Sequence, residues 1–314
     1  MQAASKVTKT PALLAQPACE IQDWFNAYVP GTVLGALVQN GVFPDPFRDN
    51  NLENIPESMF VEPWWFRTEF HWSPDDSCAL TSLDFDGLNY RAEIWLNGKQ
   101  ITRDQKCFGA FRRWRFDVSD VLAAGKNALA IRVAPPQNGD FSIGFVDWNP
   151  PAPDRNMGLF RSVSLHRHGL VALRHPFVQS RFNEDFSTAD LHVTATLENL
   201  SSEEVSCQVK VKFGRKELEK NSALKPHQCL DINLTSEEFA ELHIENPELW
   251  WPNNLGAPTL HELTITVVLD GTSSDAETVT FGLRKIDSWL NTEGNREFAI
   301  NGKEILIKGA GWTD

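Results

Sequence analysis

An alternating run of apolar and polar residues ends in an Asn-Gly pair in the segment Ala92-Glu93-Ile94-Trp95-Leu96-Asn97-Gly98. Such alternation is typical of a strand that buries one face, and an Asn-Gly pair tolerates the positive φ angles of a type I′ hairpin turn. Similar runs on both sides predict strands at 65–72, 79–85, 90–96, 113–118 and 128–133. Short strands at a spacing of roughly 8–12 residues, with no helical pattern between them, favour an antiparallel β-sandwich.

A stretch rich in proline and glycine at 135–153 interrupts this rhythm and predicts a long loop. A strand at 160–166 completes the first series. A second series follows, with predicted strands at 174–182, 191–199, 207–213, 229–234 and 260–269. Their number and spacing favour an immunoglobulin-like sandwich. The sequence therefore predicts an all-β chain with a first domain at 1–170 and an immunoglobulin-like domain at 171–288.

A second Asn-Gly pair, Asn301-Gly302, lies in the run 297–308 and predicts a terminal hairpin. A hairpin alone cannot bury enough apolar surface to be stable in water. We therefore expect residues 289–314 to be the start of a further domain that continues beyond Asp314.

Composition excludes several classes of partner. The 314 residues carry a formal net charge of −13, which does not supply the basic surface that nucleic-acid binding needs. No run approaches the roughly 18 apolar residues of a membrane span. Five scattered cysteines show neither a disulfide framework nor the spacing of a zinc site. We expect no metal, no cofactor, no nucleic-acid partner and no membrane span.

No motif in the chain nominates a catalytic residue. Phosphate-binding glycine loops, a GxSxG nucleophile elbow and an HExxH zinc motif are all absent from the sequence. The 42 acidic residues form so many possible pairs that their number alone cannot identify the two catalytic carboxylates of a glycosidase.

The aromatic residues suggest sugar recognition, because a pyranose stacks its C–H face on a ring while its hydroxyls bind carboxylates. Asp147 and Trp148 lie in the long loop, where a regular core has little use for a large ring. The alternative, a Trp that anchors the loop beside a solvated Asp, stays open. The pairs Trp64-Trp65 and Trp250-Trp251 adjoin prolines and are predicted to pack between domains.

Four groups of motifs follow one another along the chain. They are Val29-Pro30-Gly31-Thr32-Val33 with Pro44-Asp45-Pro46, then Trp64-Trp65-Phe66-Arg67 with Leu83-Asp84-Phe85-Asp86-Gly87-Leu88 and Trp95-Leu96-Asn97-Gly98, then Asp147-Trp148-Asn149-Pro150 with Asn156-Met157-Gly158-Leu159-Phe160-Arg161-Ser162-Val163, and finally Pro247-Glu248-Leu249-Trp250-Trp251-Pro252 with Phe281-Gly282-Leu283-Arg284. In this order they resemble the N-terminal half of a glycoside hydrolase family 2 enzyme, and the likeness extends over nearly the whole chain.

The resemblance implies a jelly-roll, galactose-binding-like sandwich, then an immunoglobulin-like sandwich, then a (β/α)8 catalytic barrel of which 289–314 is the stump. In this family the acid/base and nucleophile glutamates of a retaining mechanism lie on the barrel. Both are therefore expected beyond residue 314, and this chain alone is expected to be inactive.

The long loop at 135–153 indicates which subgroup of the family the chain resembles. The β-mannosidases of the family carry Trp-Asp-Trp-Gly-Pro there, and Val146-Asp147-Trp148-Asn149-Pro150 matches at Asp147 and Trp148 but departs at Val146. The run 153–158 is more similar to exo-β-glucosaminidases and mannosylglycoprotein endo-β-mannosidases. The resemblance implies that Asp147 and Trp148 line the sugar pocket. It also implies that Trp312 and Asp314, where the first barrel strand would begin, face the active site.

Three functional hypotheses result. The first is a non-catalytic N-terminal portion of a retaining exo-glycosidase for β-linked glucosaminides or mannosides, supplying a pocket wall and scaffolding to its own barrel. The second is an autonomous carbohydrate-binding module. The third is a purely structural pair of domains that braces the barrel or forms a homodimer. The family analogy implies a carbohydrate substrate and a periplasmic or extracellular location, while the lack of a visible signal leaves the cytoplasm open.

Overall fold

A computed structural model describes residues 1–74, 80–144 and 150–309. These residues separate into two units, one formed by 1–74 with 80–167 and one formed by 168–309. Within them, no helix has both the length and the apolar character that crossing a membrane requires. The all-β prediction is confirmed, because strands dominate both units.

The first unit combines two short helices with antiparallel strands. In chain order its elements are β1 (Gln2–Ala3), α1 (Pro11–Leu14), β2 (Gly31–Thr32), α2 (Val33–Gln39), β3 (Trp64–Trp72), β4 (Leu80–Phe85), β5 (Arg91–Leu96), β6 (Lys99–Thr102), β7 (Trp114–Asp117), β8 (Gly125–Ala134), β9 (Gly158–Leu159) and β10 (Val163–His168). Each strand predicted for this region is present, with ends that differ by a few residues.

Two sheets of the first unit enclose its core. One has the strand order β1-β3-β8-β5-β6 and the other the order β10-β4-β7. The alternation that predicted β5 places Ile94 and Leu96 inside, and Ile94 lies opposite Ile131 of β8. Leu83 and Phe85 of β4 close the same core from the other sheet. Burial of these side chains, about 1.5–3 kcal/mol each, holds the sandwich together.

The prediction that Trp64 and Trp65 pack between domains is wrong. Trp64 is buried in the main core of the first unit, and Trp65 is buried in a smaller cluster with Leu14 and Ala130. They point to opposite faces of β3 because successive side chains of a strand alternate. Each face of β3 is covered by residues of the first unit, so both rings pack within that unit.

The second unit is built from longer and more regular strands. They are β11 (Val171–Phe182), β12 (Thr188–Asn199), β13 (Val205–Phe213), β14 (Lys216–Leu224), β15 (Cys229–Thr235), β16 (His243–Glu245), β17 (His261–Leu269), β18 (Thr272–Phe281), β19 (Ile286–Leu290), β20 (Arg296–Ile300) and β21 (Lys303–Ile305). One sheet has the order β11-β12-β15, with β16 also on β12, and the facing sheet has the order β14-β13-β17-β18.

Four strands of this unit, β14, β16, β18 and β19, were not predicted from the sequence. Both β14 and β18 are rich in polar residues, and in β14 only Leu218 and Leu224 are buried. They form because their neighbours β13 and β17 supply long antiparallel ladders of hydrogen-bond partners, the second with one bulge at Val267–Val268. Pairing with a partner strand, and not local propensity, decides their structure.

The terminal hairpin of β20 and β21 turns at Asn301-Gly302, where both φ angles are positive. A third strand, β19, pairs with β20. The Asn301 side chain accepts a hydrogen bond from the backbone N–H of Lys285 and donates one to the carbonyl of Trp250, both at 2.9 Å. The hairpin therefore has support inside the second unit, which its sequence alone did not indicate.

Candidate functional site

The four predicted substrate-binding residues lie outside the described residues. Asp147 and Trp148 fall between Gly144 and Pro150, and Trp312 and Asp314 follow Gly309. What the structure describes are the two ends of the loop in which Asp147 and Trp148 occur. We call residues 141–151 the Asp147 loop, and groups on either side of it hold its ends.

The upstream anchor of the Asp147 loop is an ion pair between Arg91, at the start of β5, and Asp140. Two guanidinium nitrogens of Arg91 donate to the two carboxylate oxygens of Asp140, at 2.5 and 2.7 Å. The backbone N–H of Gln137 donates to Asp140 Oδ2 at 2.7 Å. The hydrogen bonds between the two side chains lower the pKa of Asp140 and raise the pKa of Arg91. The pair thus stays ionised at neutral pH and fixes residues 137–140 to β5.

The downstream anchor begins with Asp154, whose carboxylate is buried with only 1% of the residue exposed. It accepts hydrogen bonds from the backbone N–H of Leu34, in the first turn of α2, at 2.8 Å and from that of Asn156 at 2.9 Å. The Thr32 side chain is a further hydrogen-bond partner. Burial is the largest influence and raises the pKa of Asp154. These bonds hold the segment after the loop against α2.

Asn89 completes the downstream anchor. Its side-chain amide is fully buried and donates to the carbonyls of Arg155 and Asn156, both at 2.9 Å. Both of these residues have left-handed φ angles, 51° and 56°, which are uncommon for residues other than glycine. Backbone bonds between Asn89 and Gly158 run in both directions, at 2.9 and 2.8 Å. The backbone and side chain of Asn89 therefore both hold the turn at 155–158.

Gly158 allows the close approach that the downstream anchor needs. A Cβ atom at this position would lie 2.5 Å from the carbonyl oxygen of Gly31 and 2.8 Å from the Cα of Thr32. Any other residue would therefore push β9 away from β2. The motif Asn156-Met157-Gly158 thus has a steric basis in this structure.

Between the two anchors lies a polar groove of about 650 Å³. The charged and amide residues of its lining are Glu57, Arg91, Asp104, Arg132, Gln137, Asn138 and Arg155. Arg132 is 3.9 Å from Glu93 and 4.0 Å from Asp104, ion pairs longer than hydrogen bonds. Hydroxyl groups of a sugar are the kind of ligand that such a mixture of donors and acceptors can bind.

Exposed aromatic rings lie beside the upstream anchor. Phe111 and Phe141 are 60% and 80% exposed, and their ring centroids are 5.4 Å apart. Arg112 lies over the ring of Trp114, with 4.2 Å between the guanidinium carbon and the ring centroid. Exposed rings of this kind can stack on the apolar face of a sugar.

A second cavity of the first unit, about 660 Å³, is lined by Phe25, Phe66, Leu83, Leu129 and Ile131 among others. Most of these residues belong to the core of the sandwich. The cavity is an opening between the two sheets, and most of its lining is apolar. The described residues also contain no group of three or more His, Cys, Asp and Glu side chains that could hold a metal ion.

Sequence reasoning missed every residue of the two anchors. Arg91 and Asp140 are 49 positions apart, and nothing local marks them as partners. Asp154 and Asn156 stand in the run 153–158 that resembles known glucosaminidases, and this was the one signal that could have singled them out. Asn89 directly follows Leu83-Asp84-Phe85-Asp86-Gly87-Leu88, one of the motifs that carry the family resemblance, but the resemblance assigned no role to Asn89.

Comparison with known proteins gives two family matches. Residues 9–143 match the glycosyl hydrolase 2 galactose-binding domain-like family, and residues 171–284 match glycosyl hydrolases family 2. Together the two matches cover most of the chain. They also assign the two sandwiches as the galactose-binding-like and immunoglobulin-like domains expected from the sequence.

Individual relatives agree. An exo-β-D-glucosaminidase of Streptomyces avermitilis is 35% identical over 100% of this chain and 35% of its own length. A mannosylglycoprotein endo-β-mannosidase of Lilium longiflorum is 34% identical over 92% of this chain and 33% of its own. The crystal structure of an Amycolatopsis orientalis exo-chitosanase superposes with a TM-score of 0.89 at 32% identity, over 99% of this chain and 36% of that one. The chain thus spans about a third of the length of the relatives it matches.

Proposed function

Because this chain carries the N-terminal domains of glycoside hydrolase family 2, we propose that it is the non-catalytic N-terminal portion of a retaining exo-glycosidase. The substrates we propose are β-linked glucosaminides or mannosides, the sugars that the relatives' names contain. Its own contribution is one wall of the sugar pocket and the scaffold on which a catalytic barrel is mounted.

The Asp147 loop is the part of the chain that we assign to the pocket. The observation that carries this assignment is the pair of anchors, which hold the described ends of a proline-rich segment against β5 and α2. Loops that carry binding residues are commonly mounted on rigid elements in this way. In our proposal the Asp147 carboxylate accepts a hydrogen bond from a sugar hydroxyl or pairs with the ammonium group of a glucosaminide, and Trp148 packs on the sugar ring.

Trp312 and Asp314 are proposed as further pocket residues. By family resemblance they stand at the beginning of the first barrel strand, whose C-terminal end faces the active site in this fold. The proposed catalytic glutamates are expected on the barrel too, and no residue of this chain is assigned a catalytic role. For the compartment we retain the family expectation of periplasm or extracellular space, which cell fractionation tests.

A panel of aryl β-glycosides tests the proposed activity. We expect the full-length protein to cleave a glucosaminide or a mannoside and to leave the galactoside and glucuronide intact. The 314-residue chain at equal concentration should cleave none of them. Turnover by the 314-residue chain itself would mean that a carboxylate pair within the two sandwiches performs the reaction, and the proposal would fall.

A substitution tests the pocket wall. In the full-length protein, Asp147→Ala should lower kcat/KM by about 10-fold or more, since a charged group that contacts substrate is lost. Asp120→Ala, at an exposed position between β7 and β8, is the control and should change kcat/KM by less than about 2-fold. Equal values for the two variants would favour the purely structural hypothesis.

The exposed pair Phe111 and Phe141 favours one alternative, an autonomous carbohydrate-binding module. Under this alternative the 314-residue chain binds chitosan or mannan oligomers in a calorimetric titration, and Phe111→Ala abolishes the binding. Under the leading proposal the chain alone binds them weakly at best, because a partial pocket forfeits most of the contacts that offset the entropy of association.

A further inference from the structure

We propose that Arg91, Asp140, Asn89 and Asp154 are positioning residues that fix the two ends of the Asp147 loop to the start of β5 and to α2, and thereby set how well the enzyme uses its substrate. This inference rests on the proposed function, because it acts through Asp147 and Trp148. It adds residues outside the loop that hold its ends, namely Asn89 and Arg91 at the beginning of β5, Asp140 before the loop and Asp154 after it.

The geometry of the upstream anchor suits positioning better than stabilisation. Two parallel N–H···O bonds between a planar guanidinium and a carboxylate fix both distance and orientation. The side chains of Arg91 and Asp140 are 26% and 14% exposed, so water still competes for the pair. Ion pairs that water reaches contribute little to stability. What this pair does fix is the place at which residues 137–140 leave the sandwich.

The downstream anchor fixes the other end by a different arrangement. Asp154 binds the backbone of Leu34 and of Asn156, so one carboxylate joins α2 to the turn that follows the loop. Asn89 then holds the carbonyls of Arg155 and Asn156 from the other side. Arg155 in turn donates to the carbonyl of Pro136 at 3.2 Å, which connects the two anchors directly.

Both anchors depend on the same few residues. Asn89 and Arg91 are two positions apart at the beginning of β5, and Tyr90 between them donates its backbone N–H to Ala134 of β8. Thus one short piece of the central sheet supports both ends of the loop. Any shift of either anchor changes the separation of the loop ends. A misplacement of about 1 Å at a substrate-positioning group costs on the order of 100-fold in rate.

The test uses the full-length protein and its preferred aryl glycoside from the panel above. We expect Arg91→Ala to lower kcat/KM by about 10-fold or more. Arg115→Ala is the matched control, because Arg115 pairs with Asp84 at 2.8 Å in the other sheet of the same unit, away from both anchors. This control should stay within about 2-fold of the parent protein. Asp140→Asn, which keeps the shape of the side chain, serves if Arg91→Ala yields no folded protein.

A double variant separates positioning from general destabilisation. If Arg91 acts through the loop, then Arg91→Ala in an Asp147→Ala background should lower kcat/KM by less than about 2-fold, because the group it positions is already absent. Its effect on the thermal unfolding midpoint should be the same in both backgrounds, since that readout does not involve substrate.

The possible outcomes distinguish the two proposals. If Asp147→Ala is silent, the pocket-wall proposal and this inference fall together. If Asp147→Ala impairs activity but Arg91→Ala and Asp140→Asn do not, the pocket wall stands and the positioning role is wrong. Losses from Arg91→Ala and Asp147→Ala that simply multiply in the double variant would also overturn the positioning role, because Arg91 would then act through some other group.

Discussion

At its upstream end the Asp147 loop is held by an ion pair that water reaches, whereas at its downstream end it is held by hydrogen bonds inside the protein. The Arg91–Asp140 pair retains part of its surface in solvent, but Asp154 and Asn89 are almost completely buried. Solvent screens a pair of the first kind, whereas a buried polar group whose partner is lost bears its full desolvation cost. Both anchors fix one end of the loop, but we expect removal of the downstream anchor to lower the free energy of unfolding much more than removal of the upstream one.

The largest effect is expected at Asp154. Asp154→Ala should lower the free energy of unfolding by about 3 kcal/mol, because the buried N–H group of Leu34 and the half-buried N–H group of Asn156 would lose their acceptor. A urea titration of the chain followed by tryptophan fluorescence measures this. Asp154→Asn keeps one carbonyl acceptor and should cost less than Asp154→Ala. Equal costs for the two variants would mean that the hydrogen bonds are not what the carboxylate contributes.

Asn89 ranks next. Asn89→Ala should lower the free energy of unfolding by about 2 kcal/mol, since a fully buried amide and its two hydrogen bonds to the carbonyls of Arg155 and Asn156 are lost. The control is Asn54→Ala, which removes an exposed amide bound to the carbonyl of Asn50 and should cost less than about 0.5 kcal/mol. The same urea titration serves for both. If the two variants cost the same, burial does not separate the downstream anchor from an ordinary surface contact.

Arg91→Ala should have a smaller effect on stability, about 1 kcal/mol, and this effect should shrink as salt is added. The cost of Asp154→Ala should be nearly independent of salt, because buried charges are screened much less. Urea titrations at low and high sodium chloride concentration test both statements. A salt-independent cost for Arg91→Ala would show that the upstream anchor is not electrostatic in origin.

The pH dependence of the upstream anchor is a finer test. Hydrogen bonding to Arg91 holds the pKa of Asp140 below its ordinary value near 3.8. The stabilisation by the pair is therefore complete above that ordinary value and disappears as the pH falls through the lowered pKa. The difference in stability between the parent chain and Asp140→Asn should be constant from neutral pH down to about pH 5 and then shrink. A difference that grows in acid would contradict this assignment.

The downstream anchor should respond to pH in the opposite direction. Burial raises the pKa of Asp154 above 3.8, so folding favours its protonated form. The contribution of this group is fully present below the ordinary pKa and is lost as the pH rises through the raised one. The parent chain should therefore gain stability relative to Asp154→Asn as the pH falls through this interval. Parallel pH profiles for the two anchors would remove the contrast between them.

The sequence was sufficient for the architecture because the relevant signals are local. Alternation in 92–96 and the Asn-Gly pairs at 97–98 and 301–302 each specify a strand face or a turn within a few residues. The order of motifs then sufficed to indicate the family, which the matches at 9–143 and 171–284 confirm. Asp147, Trp148, Trp312 and Asp314 were nominated by this resemblance, and they stay predictions.

Local sequence patterns could not predict which distant segments pair with one another. Strands β14 and β18 carry too few buried residues to be recognised alone, and they exist because β13 and β17 offer them partners. Trp64 and Trp65 looked like interdomain residues because nothing in their surroundings shows that both faces of β3 are covered within one unit.

The anchors of the Asp147 loop illustrate the same division. Their residue types are ordinary, and Arg91 is one of many charged residues on the strands of the chain. Only folding brings Arg91 to Asp140, Asn89 to Arg155, and Asp154 to the first turn of α2. Hydrogen bonds depend on distances of about 3 Å, and separations of 49 to 120 positions along the chain carry no information about such distances.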